Sequence, residues 1–274
     1  QSLINDYTVY TNDYQAYSYI AAKALIEYHS TNVINSLTLE KVFGKYYKEN
    51  KAELTKRFST PLAAEKKFLD DIGDLYYGPT FDKFTDYFDH SAYAGHPENS
   101  HPVFNSCISY YSSAEIQKYR ENSKLFPYSL FTLYYGNPYF SIHQCVEIDS
   151  INYSIDKLLE SGEITDEEHS IYLSFLIYCL NLIVISVGDH FAQPQKIKPV
   201  KPDLSGERDS INLRERKKII GKKRTLVQQL YREKFEEYKA NYKAGNIANK
   251  AFNLDYKILL SDPAFKALNI NTAY

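Results

Sequence analysis

Seventeen consecutive residues, 171–187, read IYLSFLIYCLNLIVISV, and a stretch so apolar must leave water whatever else the chain does. Asn181 and the serines Ser174 and Ser186 interrupt it, and its flanks lack the aromatic or basic anchors of a membrane span. A core helix is therefore expected rather than a transmembrane one. Such a helix needs other chain around it. With 274 residues, 44% of them hydrophobic, the protein has enough material for one large domain or two small ones.

The local patterns around that helix change character along the chain. Residues 7–13, YTVYTND, read as a short strand ending in Asn12-Asp13, and Gln15–Tyr28 as a helix with Ile20, Ala24 and Leu25 on one face. A strand that ends in an acid and feeds a helix is a unit of Rossmann-like α/β sheets. Residues 37–90 have the period of amphipathic helices, and 91–112 read as loop. A helix is expected over Ile142–Glu160, closed by Gly162. Thr165 with Glu168 three residues later marks the start of the apolar helix, and that helix is expected to run on to Val187. Residues 194–206 read as an extended Pro-rich linker, and Ser210–Lys243 as a single long helix. KAFNLDYKILL gives a strand, a turn at Asn253-Leu254-Asp255 and a helix, and NINTAY (269–274) reads as another strand. The organisation expected is an α/β piece (1–30), a mostly helical insert (31–243) and a return to α/β (244–274).

Charge and cysteine content exclude some classes. The formal net charge is −2, so any nucleic-acid footprint must be local. Cys107, Cys145 and Cys179 lack metal-ligand spacing and are odd in number, which points to buried thiols in a reducing, cytoplasmic setting. No basic start followed by an apolar run marks a signal peptide. His90, His96 and His101 with Asp89 fit no standard metal site, so no metal is expected. The local footprint is found at 214–224, RERKKIIGKKR, with seven basic side chains in eleven residues and Lys196, Lys198 and Lys201 upstream. Arg214, Arg216, Lys217, Lys218, Lys222, Lys223 and Arg224 are thus candidates for contact with DNA phosphates. A solvated helix face is the alternative, because the acids of EKFEEYK follow.

Three segments, VYTNDYQAYSYIAAKALIE (9–27), FPYSLFTLYYGNPYFSIHQCVEIDSINYSID (126–156) leading to VGDHFAQP (187–194), and FNLDYKILL followed by NINTAY, together resemble the adenine-specific DNA methyltransferases of the Dam-like class. The resemblance implies a Rossmann-like sheet, S-adenosylmethionine as methyl donor and double-stranded DNA as substrate, with a companion restriction endonuclease among the partners of such enzymes. It assigns the ribose hydroxyls of the cofactor to Asp13 and its adenine to Asp255 and Tyr256; the alternatives are an Asx turn that starts the following helix at Asp13, and a turn residue followed by a core Tyr at Asp255-Tyr256. The insert becomes the target-recognition region, where His190 and Gln193 face DNA and Tyr134, Tyr135 and Tyr139 wedge or stack on bases; the alternative is that most of these tyrosines are packing groups. The rival expectations are a non-catalytic DNA-recognition subunit or a degenerate methyltransferase that binds DNA only, and a helical interaction protein without a nucleic-acid role.

Two signatures of the resembled family are missing. None of the ten glycines forms a GxG pair, and no Asp-Pro-Pro-Tyr-type tetrapeptide occurs, since Asp262-Pro263 is followed by Ala264. The chain begins at Gln1 and contains no Met, and it reads as a fragment whose glycine loop and catalytic loop lie outside it; no catalytic residue is assigned. The 274-residue chain, incubated with labelled S-adenosylmethionine and adenine-containing duplex, should transfer no methyl groups. Robust incorporation of label would require a methyl-donor site built from other residues and would overturn the resemblance-based assignment.

Overall fold

The computed structural model describes residues 7–27, 29–73, 76–90, 99–189, 193–200, 207–242, 247–268 and 270. It overturns the α/β expectation: 69% of the described residues are helical, and the one sheet among them has two strands. These are β1 (Tyr10–Asn12) and β2 (Lys250–Phe252), paired in parallel with Tyr10 opposite Lys250 and Asn12 opposite Phe252. The physical reason is length. Both strand signals are real, but two strands of three residues have no face large enough to build a core. The long segments with helical period supply the core instead. The strand expected over NINTAY lies outside the described residues, apart from Ile270, which is in neither helix nor strand.

Nine helices of nine residues or more are described: α1 (Ala16–Ile26), α2 (Lys45–Arg57), α3 (Ser59–Ile72), α4 (Pro79–Asp89), α5 (Ser113–Glu121), α6 (Ile142–Glu160), α7 (Asp166–Ile183), α8 (Glu207–Arg224) and α9 (Val227–Asn241). The apolar run forms α7, and its capping box of Thr165 and Glu168 is made as expected. The helix stops at Ile183, four residues short of the expected end. Among the described residues no helix is long and apolar enough to cross a membrane.

Helix α6 is the central pillar. It touches α2 along its length and also α7, α9 and the short helix Leu130–Tyr134. Cys145, Ile148, Ile151, Ile155 and Leu158 join one apolar cluster with α7 and α9, while Ile142 and Val146 join a second with α3 and α4. A helix buried all round must satisfy its polar side chains inside the protein, and α6 does so by holding the ends of other helices. The Asp149 carboxylate accepts from the N–H groups of Phe131 (3.0 Å) and Thr132 (2.8 Å) and from the Thr132 hydroxyl (2.8 Å), at the start of Leu130–Tyr134. Burial raises its pKa to about 6, against the pull of these donors. Glu147 accepts from Gln228 N–H (3.1 Å) at the start of α9 and pairs with Lys51 at 3.0 Å.

The start of α6 is itself held by α3. The Glu65 carboxylate accepts from the N–H groups of Ile142 (2.9 Å) and His143 (3.1 Å), the His143 Nδ1 (3.1 Å) and the Tyr87 hydroxyl (2.9 Å). A negative charge at a helix N-terminus meets both unsatisfied donors and the positive end of the dipole. Burial disfavours the charged form of Glu65, but His143, Lys223 and the Ile142 N–H hold its pKa below the usual value. Lys223 is fully buried, pushed down to about 8 by that burial, and donates to Asn137 O at 2.9 Å.

The single helix expected over Ser210–Lys243 is two, broken at Thr225-Leu226. Gln144 Nε2 takes the carbonyls of Lys222 (2.7 Å) and Thr225 (2.9 Å), and Glu147 restarts the helix at Gln228. Tertiary partners thus replace the continuing helix hydrogen bonds. Glu65→Ala should lower the unfolding free energy by about 3–5 kcal/mol, the cost of stripping one partner from a buried charge network. Denaturant melts of wild type, Glu65→Ala and Glu65→Gln check this; a loss below about 1 kcal/mol for Ala would remove Glu65 from the role of cap.

Candidate functional site

Although more than 200 residues separate them in the chain, Asp13 and Asp255-Tyr256 meet at the carboxyl ends of the parallel strands. The junction is made by an asparagine. Asn12 accepts from Leu254 N–H through Oδ1 (3.1 Å) and donates to Leu254 O through Nδ2 (3.0 Å), so its amide acts as a short piece of strand. Asn253 Nδ2 returns a bond to Asp13 O at 2.7 Å, and Asp13 N–H continues the ladder to Phe252 O at 3.2 Å. Residue reasoning singled out the acids and missed both asparagines. The only signal was an Asn one or two positions before each acid in two otherwise unrelated segments.

Each acid also has a local task. Asp13 Oδ1 accepts from Gln15 N–H at 2.8 Å, and Asp255 Oδ1 caps Tyr256–Ser261 by accepting from Lys257 N–H at 2.9 Å. These turn-forming bonds use one oxygen of each carboxylate and leave acceptor capacity on the other. The Tyr256 ring is 61% exposed, and Tyr14, next to Asp13, is 76% exposed. The strand-end edge therefore offers two carboxylates, two aromatic rings and amide groups to solvent. That set suits a ligand with hydroxyl or amine donors and a flat apolar face.

The basic segment is divided by the fold. Arg216 is buried, donating to Lys198 O (2.8 and 3.0 Å) and Tyr76 O (2.9 Å) with its guanidinium over the Phe81 ring. Lys222 donates to Val184 O (2.7 Å), Lys223 lies in the Glu65 network, and Arg224 donates to Leu69 O (2.6 Å). Four of the seven expected phosphate contacts are thus structural pins. Arg214, Lys217 and Lys218 remain exposed, on the outer face of α8.

Gln193 is exposed beside them, and its carbonyl accepts from Val187 N–H at 3.0 Å; His190 lies outside the described residues. In YYGNPYF, Asn137 adopts φ 69° and its buried amide donates to Tyr87 O (2.7 Å) and His90 O (2.5 Å). Tyr135 packs edge-on against Tyr139 at 5.6 Å and beside Phe131 at 5.2 Å. These tyrosines are packing groups, partly buried against the apolar cluster of α6 and α7. Among the described residues no group of three or more His, Cys, Asp or Glu is arranged to hold a metal ion. His96 lies outside them. All three cysteines are buried and free, with pKa values raised by that burial.

If Asn12 is the clamp of the strand ends, Asn12→Ala should speed hydrogen exchange at Leu254 N–H and cost about 1–2 kcal/mol, the order expected for two lost hydrogen bonds. Unchanged protection at Leu254 would mean that the strand ends are held by other contacts. Comparison of the chain with family models, with characterised proteins and with solved structures returns no match.

Proposed function

We propose that the chain serves site-specific methyl transfer from S-adenosylmethionine to the exocyclic amine of adenine in double-stranded DNA, with the strand-end edge as its cofactor contact. The observation that carries this reading is the parallel register of β1 and β2, which gathers Asp13 and Asp255-Tyr256 from opposite ends of the chain onto one edge. The sequence resemblance assigns those three residues to the ribose and the base of one nucleoside, a pairing that requires them to be neighbours in space. The reading does not need the larger sheet, which the fold replaces with helices; it needs only the carboxyl ends of two parallel strands, where ligands of open α/β edges bind.

The chemistry of the residues fits the nucleoside half of the cofactor. Asp13 accepts from ribose hydroxyls, Asp255 accepts from the adenine amine, and the exposed Tyr256 ring covers the base. The cofactor supplies an activated methyl group on sulfur. The protein's part is to hold donor and target base in line, and positioning is the main lever for such a displacement. The helical body, with its exposed cations on α8, is the part that meets DNA.

Calorimetric titration of S-adenosylmethionine into the complete protein tests the reading. Asp13→Asn and Asp255→Asn preserve the local turns, because an amide oxygen still caps. Each should nevertheless weaken binding tenfold or more, in keeping with roughly 1.5–3 kcal/mol for a charge-assisted hydrogen bond. Tyr256→Leu should be milder, since it retains apolar contact. Affinity unchanged in both Asn variants would take the cofactor away from this edge.

A further inference from the structure

An open cleft of about 300 Å³ lies where α2 gives way to α3. Glu53, Lys56 and Arg57 line it from the last turns of α2, and Ser59 and Thr60 from the first turn of α3. Ser106 and Tyr110 complete it from two short helical segments, Pro102–Cys107 and Ile108–Tyr111. Positions 53, 56 and 57 share one face of a helix by their spacing. The helix breaks at Phe58, so the hydroxyls of Ser59 and Thr60 open a new turn beside the two cations.

Arg57 is held from two sides. Its Nε donates to Glu53 Oε1 at 2.8 Å, and its guanidinium lies over the Tyr110 ring at 4.9 Å. Tyr110 in turn packs on the buried Phe58 ring at 6.0 Å. The Cys107 thiol donates to Arg57 O at 3.2 Å, which ties the Ser106 segment to the end of α2. A guanidinium fixed through Nε still presents its two Nη groups as a fork, and these make no hydrogen bond among the described residues. Lys56 is exposed and has no ion-pair partner among them, and the Ser59 and Thr60 hydroxyls make no hydrogen bond to them. The one lining carboxylate is the one bound to Arg57. What the cleft offers a ligand is therefore a set of donors.

We infer that this cleft binds a phosphate monoester. A terminal phosphate has three bare oxygens and about two negative charges at neutral pH. Those oxygens can take the Arg57 fork, the Lys56 ammonium and the hydroxyl donors together. A carboxylate ligand has two oxygens, too few for that set. A phosphodiester also has two bare oxygens and carries a single charge, and a pair of neighbouring cations is too short a row for a polymer of phosphates. A metal ion finds one carboxylate, already engaged by Arg57. The phosphate of a free small molecule and that of a phosphorylated side chain present the same three oxygens. The inference is independent of the methyl-transfer reading, and none of its residues belongs to the strand-end edge.

The test is nuclear magnetic resonance of the isotope-labelled 274-residue chain, titrated at constant ionic strength with inorganic phosphate, glycerol phosphate and a phosphoserine peptide. The backbone amides of Ser59 and Thr60 and the Arg57 Nε–H should shift saturably with all three. Tighter binding of the peptide places the phosphate on a protein side chain; equal or tighter binding of glycerol phosphate places it on a small molecule. Lys56→Gln should weaken glycerol phosphate binding roughly tenfold or more, the loss expected for one charge-assisted contact. Arg57→Lys, which keeps the charge and removes the fork, should lose a similar factor. Lys48→Gln/Lys83→Gln, which removes two exposed lysines outside the cleft, should behave as wild type. Thermal melting of each variant guards against unfolding, and Lys56→Gln, at an exposed position, carries the test if Arg57→Lys melts early. Shifts that never saturate, or equal losses in Lys56→Gln and the control, overturn the assignment. So does displacement of glycerol phosphate by duplex DNA without a terminal phosphate, which makes the cleft a nucleic-acid contact. S-adenosylmethionine affinity should stay unchanged in Lys56→Gln, so failure here leaves the strand-end edge standing.

Discussion

Buried carboxylates that hold the N-termini of other helices are the constraint on which the structure depends. Glu65 holds α6, Asp149 holds Leu130–Tyr134 and Glu147 holds α9. Each satisfies orphan backbone N–H groups that burial would otherwise leave unpaired, and each reaches them from a distant element. Without these contacts α6 could not lie between two apolar clusters, because both its polar side chains and its first turn would be stranded away from water. The arrangement also sets direction: a cap across two helices fixes which end of one meets which side of the other, something apolar packing alone leaves open.

That constraint reaches the surface through α8. Lys223 and Arg216 are drawn inward, one to Asn137 beside the Glu65 network and the other to the carbonyl of Lys198. Helix α8 is thereby locked in rotation, with Arg214, Lys217 and Lys218 outward. A run of seven basic residues looks uniform as letters, yet a helix has only one exposed side. Burial of some members is what aligns the rest.

Much of the architecture was legible because its signals are local. Thr165 and Glu168 form a box between neighbours in sequence, Gly162 has the positive φ its position needs, and α6 runs over the residues its pattern marks. The strand ending in Asp13 and the turn at Asn253-Leu254-Asp255 were readable for the same reason. The break at Thr225-Leu226 was not, since Gln144 and Glu147 act on it from about 80 residues away. The extent of the sheet was not legible either, because an acid-ended strand followed by a helix has the same local pattern whether it pairs with one strand or six.

The sequence by itself determined that residues 37–90 are mostly helical, where α6 starts and stops, where α7 starts, and that the apolar run of α7 belongs to the core, since periodicity, caps and hydrophobicity act within a few residues. The resemblance marked Asp13, Asp255 and Tyr256 as candidates for one site. Only the tertiary structure decided that β1 and β2 lie side by side, that the core is helical rather than a sheet, and which cations face water. Those outcomes depend on partners far apart in the chain, and the side chains that select them, Asn12, Glu65, Gln144 and Arg216, carry no mark of their distant partners in their own neighbourhoods.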